Sequence, residues 1–466
     1  MKPLARNFLA ASGADAGSRF LGFLVTAYLA RVLGPSSFGL MSIALSVLGY
    51  ASLFAGPGLN VYGARYVASA GNSSFPVARQ ILVVRTLLGA VSACVFCAGA
   101  LVLFGVSQDW LTLAVFVSAA IPMAATADWY LQGKNSIGRL AIARLTMYGA
   151  YLLLVVALVR SPADTVWSGV SFAAGTWVMA GVTLLFMFRS EHPVSRQSGG
   201  PQWAVLLKES LPLGLSAILA QTVANLPVLI VGAIMTTTEA GLFGSAMKLV
   251  FFALMLDRVF YLLFLPVASR TATSPEQLPP LVEMALKMVL SIAIPVTVLS
   301  IAFAGPLTVL VYGEHFAASA PVFAAAMPYF AFTVVSTVMM TTLYATHREK
   351  DFLTILAVGT LVLVVLCSAL TVLAGTAGGA LGLSLGELFM AVVLTRKVSS
   401  LVSIHVGKTV LAFLGAAGAM GVSLYVGRGF PPAAQAFGSA TVFLGSVLLL
   451  KGITFRDIAF IREKLA

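Results

Sequence analysis

The stretch SGADAGSRFLGFLVTAYLARVLGPSSFGLMSIALSVLGYASLFAGPGLNVYGARYVA, residues 12–68, decides the fold. It holds two apolar runs, each near the about 20 residues that a helix needs to cross a bilayer, joined by the tight turn Gly34-Pro35-Ser36-Ser37. The first run carries Asp15 and Arg19 at i, i+4, so both side chains lie on one helix face. Ser12, Gly22 and Thr26 continue that face, and Ser42, Ser46, Gly49 and Ser52 draw a similar stripe along the second run. Charges at membrane depth are costly and face a bundle interior or a water-filled cavity. The pattern therefore predicts a polar cavity lined by the first two spans.

Composition agrees with this reading. The 466 residues are 59% hydrophobic and 9% charged, with a mean hydropathy of +0.99, whereas soluble domains are about 25% charged. An all-α, polytopic membrane protein is expected. The first apolar run is too long for a signal-peptide core and reads as a retained span. Cys94, Cys97 and Cys367 all fall in apolar segments and read as small packing residues, without a disulfide framework.

Fourteen apolar stretches can be marked, near 9–31, 38–56, 81–104, 110–131, 140–159, 166–188, 211–235, 240–265, 286–312, 321–343, 352–373, 379–395, 409–426 and 434–450. An even number puts both termini on one side, and the basic residues choose the side. With cytoplasmic termini, 21 of the 28 Lys and Arg fall in inside segments, while Arg31, Arg160 and Arg428 fall outside. Arg19, Arg85, Lys248 and Arg258 lie within spans. The expectation is a multi-pass membrane protein with cytoplasmic termini. The net charge of +12 then expresses topology, and no nucleic-acid partner is implied.

The opening pattern returns later in the chain. A shift of 202 residues lays Phe38-Gly39-Leu40 on Ala240-Gly241-Leu242 and Ala44 on Ala246. A second echo joins WYLQGKNS (129–136) to TLYATHREK (342–350). Six spans separate the copies, so the two halves share an orientation and their symmetry axis should follow the membrane normal. This divides the chain into an N-lobe at 1–190, a C-lobe at 205–402 and an appended pair of spans at 403–466. The polar, Gly- and Pro-containing segment 189–209 reads as the linker, and 268–284 as a second long inner loop.

Three segments carry a family likeness: LARVLGPSSFGLMS (29–42), GLNVYGARYVA (58–68), and AGLFGSAMKL (240–249) followed by FLPVASR (264–270). They resemble bacterial polysaccharide flippases, the Wzx-type O-antigen and exopolysaccharide transporters. That superfamily also holds lipid II flippases and multidrug exporters. The resemblance implies two six-helix lobes around a central cavity that works by alternating access. It implies an undecaprenyl-pyrophosphate-linked oligosaccharide as substrate. No cofactor is implied; membrane lipids and polysaccharide polymerase or other biosynthesis proteins are the implied partners, and the chain is expected to act as a monomer.

A pyrophosphate needs buried cations. Arg19 and Lys248 are the foremost candidates, with an Asp15 ion pair as the alternative role for Arg19. Lys248 has no acid at i±3 or i±4. Arg85 and Arg65 are further candidates; the first could instead snorkel and the second could simply follow the inside bias. Gln221 and Asn225 on span 7, with Ser42 and Ser46 on span 2, are expected to line the polar wall. Asp15 and Glu387 are the two candidates for proton coupling, because Glu387 stands mid-span without a local base. Asp257 and Arg258 read as interfacial, as does Asp128, whose neighbours Trp129 and Tyr130 suggest an aromatic belt. A cation-coupled multidrug exporter, or a lipid II-type flippase, of the same fold is the runner-up. A polymerase or ligase is disfavoured, because no outer loop is large enough for a catalytic site. His192, His315, His347 and His405 are scattered, so no metal site is expected.

Overall fold

The computed structural model describes the backbone of residues 2–56, 58–70, 74–189, 203–272 and 276–453. Side chains are described from residue 17 onward, without 103, 203–209, 211–213, 215 and 216. The side chains of Ser12 and Asp15, His192 and the core of the 189–209 linker therefore lie outside the described residues.

The chain is all-α, a polytopic membrane protein. Its helices are α1 (Lys2–Phe54), α2 (Leu59–Ala70), α3 (Phe75–Phe104), α4 (Gln108–Ser118), α5 (Ala120–Ala125), α6 (Asp128–Gly133), α7 (Ile137–Leu158) and α8 (Thr165–Arg189). There follow α9 (Trp203–Ile234), α10 (Thr237–Ala253), α11 (Met255–Thr271), α12 (Leu278–Ala302), α13 (Ala304–Tyr312) and α14 (Ala320–Ala345). The last three are α15 (Glu349–Leu401), α16 (Val406–Val426) and α17 (Pro432–Leu449).

Twelve helical segments among the described residues are long and apolar enough to cross a membrane. Two of them are about twice the necessary length, Gly17–Phe54 with 38 residues and Glu349–Leu401 with 53. Both are broken. Gly34 takes φ 69°, a left-handed value open to glycine, and Pro35 after it has no N–H to donate. In α15 the break is Ala374-Gly375, with Gly375 at φ 64°. Counting each broken helix twice gives fourteen spans.

Some helices overrun their apolar cores. Between α11 and α12 the predicted long loop 268–284 shrinks, because α11 continues to Thr271 and α12 begins at Leu278. Pro279 and Pro280 occupy the first turn of α12, where a missing N–H costs nothing.

The contacts divide the chain into two compact units. The first comprises Met1–Ser245 with Val311–Phe316, the second Ala246–Leu310 with Ala317–Ala466. In the first unit α1 packs on α7, α9, α4 and α3. One of its cores gathers Leu59, Val67, Ile81, Val84, Trp129 and Tyr130. Trp129 and Tyr130 are 1% and 0% exposed. They form no aromatic belt, contrary to expectation: Gly63 leaves the hole that Trp129 fills, since a Cβ there would stand 2.5 Å from the indole ring. In the second unit α14 packs on α15, α12 and α11, and the α16–α17 pair leans on α12.

Spans 11 and 12, the two halves of α15, fold back on one another. A Cβ added at Gly378, Gly382 or Gly386 would meet Leu370 O at 2.2 Å, Leu366 O at 2.5 Å or Leu363 Cα at 2.6 Å. The partner numbers fall as the glycine numbers rise, which defines an antiparallel pair. Small residues every fourth position let two helix backbones approach in this way.

Candidate functional site

In the first unit, the polar stripe of span 2 meets other helices directly. Ser42 and Ser46 are both 4% exposed. Their hydroxyls donate to the carbonyls of Phe38 (2.8 Å) and Ser42 (2.9 Å), each four residues back in the same helix. Ser42 packs on Gly244, where a Cβ would stand 2.7 Å from its hydroxyl. These serines therefore sit in a close-packed seam with their hydrogen bonds satisfied.

Beyond them, span 2 meets α9. Gln221 Nε2 donates to the carbonyl of Gly49 at 2.9 Å. Asn225 Nδ2 donates to Gln221 O and to Gln221 Oε1, both at 3.2 Å. Gly49 is what admits the asparagine, because a Cβ there would lie 3.1 Å from Nδ2. The structure thus brings Gln221, Asn225 and the Gly49 end of the stripe together as one half-buried amide cluster.

The basic residues of this unit differ in setting. Arg19 on α1 and Arg65 on α2 are exposed. Arg85 on α3 is 5% exposed, and its guanidinium is occupied. Nη1 donates to Thr126 O at 3.0 Å and Nη2 to Met123 O at 3.4 Å. Those carbonyls stand at the break between α5 and α6, where Thr126 turns to extended backbone. Asp128 closes the group by accepting from Thr126 Oγ1 at 3.0 Å. Arg85 is the donor that a helix break inside the membrane requires.

In the second unit Lys248 is half-buried on α10. Among the described residues it makes no hydrogen bond and no ion pair. The same unit holds two carboxylates. Glu387 on α15 is 2% exposed and accepts from Ser336 Oγ at 2.7 Å. Asp257 on α11 accepts at Oδ2 from Thr337 Oγ1 at 3.0 Å, while its Oδ1 is buried and accepts nothing among the described residues. Asp257 thus turns its carboxylate to α14, 14 residues, about 21 Å, before the end of α11 at Thr271. No sequence signal marks this pairing, because the hydroxyl partner lies 80 residues away in sequence. Among the described residues no group of three His, Cys, Asp or Glu is placed to hold a metal.

The sequence model of a family described as polysaccharide biosynthesis protein matches residues 4–272, more than half of the chain. No curated protein sequence matches it. Among solved structures, the chain resembles a multidrug resistance MATE family transporter of the MOP superfamily in its inward-facing conformation. That match has a TM-score of 0.69 and 14% identity, covering 82% of this chain and 95% of the other. The lipid II flippase MurJ in an inward closed conformation gives a TM-score of 0.64 at 13% identity, covering 97% of this chain and 100% of the other. A MOP superfamily transporter from Pyrococcus furiosus gives 0.60 at 14% identity, over 84% and 95%. At such identities the likeness is one of fold.

Proposed function

This chain belongs to the polysaccharide biosynthesis protein family, and we propose that it is a flippase for a lipid-linked oligosaccharide. The substrate proposed is an undecaprenyl-pyrophosphate-anchored glycan, moved from the cytoplasmic to the outer leaflet by alternating access, during assembly of a surface polysaccharide. The protein acts as a monomer in the bacterial inner membrane, both termini cytoplasmic, beside the polymerase and other biosynthesis proteins that use its product.

The physical problem is the head group. Each sugar hydroxyl stripped of water without a partner costs several kcal/mol in hydrocarbon, and the pyrophosphate brings negative charge. One observation carries the reading: Lys248, a half-buried cation on a membrane-spanning helix, has no acidic partner among the described residues. A cation kept at that depth awaits an anion, and a phosphate supplies one. In the first unit, exposed Arg65 and Arg19 are proposed to meet the pyrophosphate. The amides of Gln221 and Asn225 are the proposed glycan-facing groups; Ser42 and Ser46 support them by closing the helix seam. Glu387 is the proposed coupling carboxylate, and Asp15 a second.

The test is complementation of an export-deficient strain, with protein measured in the membrane fraction. Lys248→Ala is expected to abolish glycan export at unchanged abundance. Lys248→Arg is expected to keep part of it, because phosphate accepts either cation although the geometry differs. Normal export by Lys248→Ala at wild-type abundance overturns the reading.

A further inference from the structure

We propose that Asp257 and Glu387 form one proton-binding site in the second unit, bridged by the neighbouring hydroxyls of Ser336 and Thr337. The inference rests on the transport reading above and extends it, because it makes a two-carboxylate unit of what the sequence offered as Glu387 alone.

The geometry begins with α14. Ser336 and Thr337 are consecutive, so their side chains leave the helix about 100° apart, one step of a helix with 3.6 residues per turn. That divergence lets one helix serve two neighbours. Ser336 reaches Glu387 on α15, and Thr337 reaches Asp257 on α11. Both hydroxyl residues are buried, at 7% and 6% exposure. Each carboxylate thereby receives one hydroxyl donor and keeps an oxygen to spare. On Asp257 that oxygen is shut off from solvent and unpartnered among the described residues. A buried acceptor in this condition carries its full desolvation penalty, larger when charged. A proton placed on it removes both the charge and the deficit.

Among the described residues, Arg258 is the one counter-charge acting on the pair: it acts on Asp257, Asp257 acts on Glu387, and both acids act on Tyr329. Arg258 follows Asp257 directly on α11, diverges from it by the same 100° step, and is exposed. Tyr329 stands two turns before Ser336 on α14, is 6% exposed, and is within electrostatic reach of both acids. Among the described residues, no group of α12, which packs on both α11 and α14, is among those acting on either carboxylate. Two like charges in a low-dielectric interior repel, and a single proton on either carboxyl relieves the pair. The two groups therefore titrate as one coupled unit.

The experiment needs no substrate. The full chain is reconstituted in lipid vesicles, and the infrared C=O stretch of protonated carboxyl is followed against pH in H₂O and D₂O. Wild type is expected to show a buried-carboxyl band that shifts in D₂O and disappears as pH rises. Asp257→Asn and Glu387→Gln, both nearly isosteric, are each expected to move the midpoint of the remaining carboxyl by more than about one pH unit, the mark of a coupled pair. Ser336→Ala and Thr337→Val are expected to shift the band frequency without removing it, and they carry the test if an acid variant fails to fold. Absence of a titrating band in wild type overturns the proposal. So do unchanged midpoints in both single variants, unchanged band frequency in both hydroxyl variants, or loss of the band on adding sodium at fixed pH. Normal glycan export without a coupled band sinks this inference alone. A coupled band with Lys248→Ala exporting normally sinks the substrate reading alone.

Discussion

Gly39 and Gly241 touch backbone to backbone, and the contact is reciprocal. A Cβ on Gly39 would run into Thr237 O at 1.7 Å, and one on Gly241 into Pro35 O at 2.0 Å. Each glycine thus meets the carbonyl four residues before the other. The offset of 202 that relates Gly39 to Gly241 also relates Pro35 to Thr237. The two sides of the contact thus occupy corresponding places at that offset, as the two sides of an isologous interface do.

This contact predicts a specific mutational pattern. Gly39→Val or Gly241→Val must push two helices apart, and each is expected to lower the thermal unfolding midpoint of the detergent-solubilised protein. Overpacking of this kind costs about 1–3 kcal/mol. The double variant should cost much less than the sum, because both changes spoil one contact. Additive losses measured by fluorescence-detected size exclusion after heating would show the two sites to be independent.

Arg85 makes a second prediction. It bonds two carbonyls at the α5–α6 break; Arg85→Ala leaves Thr126 O without this donor, at about 1–3 kcal/mol for a buried group, while Met123 O keeps the Thr126 hydroxyl at 2.8 Å. Arg85→Lys is expected to recover only part of the loss, since an ammonium cannot span two acceptors as the flat guanidinium does. Equal stability of the Lys and wild-type proteins would remove this role.

Sidedness is checked by labelling. In a background without Cys94, Cys97 and Cys367, cysteines replace the exposed residues Gln108, Gly429, Ser69 and Ser400. An impermeant maleimide is expected to reach positions 108 and 429 in intact cells, and 69 and 400 only after permeabilisation. The reverse pattern inverts the orientation drawn from the basic residues.

The glycine ladder of spans 11 and 12 gives the last prediction. Gly382→Leu collides with Leu366 O, 2.5 Å from the added Cβ, and should separate the spans. Glu387 lies little more than a turn farther along, so the substitution is expected to lengthen its bond to Ser336 and shift its carboxyl infrared band. Gly407→Leu, where a Cβ meets open space, is the control and should leave the band in place.

Much of this architecture could be read from the chain before its structure. Fourteen apolar runs, the Gly34-Pro35 break and the 202-residue offset are properties of hydropathy and spacing. The isolated Glu387 was also visible, because a lone acid in an apolar run is rare. What escaped had partners without a signature. Arg85 bonds backbone carbonyls, which every residue carries. Asp257 depends on Thr337, one threonine among many in the spans. The serines of span 2 looked like a cavity wall because a helical stripe of small polar residues is the same pattern whether water or another helix lies against it. The ladder Gly378, Gly382, Gly386 is legible from its spacing of four.

The reversal at Ala374-Gly375 bears on how the protein is made. Two non-helical residues join span 11 to span 12, and the pair is in contact within one turn of that corner, where Gly378 meets Leu370. Such a corner leaves no connecting segment to be drawn across the bilayer ahead of its helices. The two spans are therefore built to enter the lipid together as the hairpin 349–401, in which Glu387 need not be presented to lipid on a solitary helix.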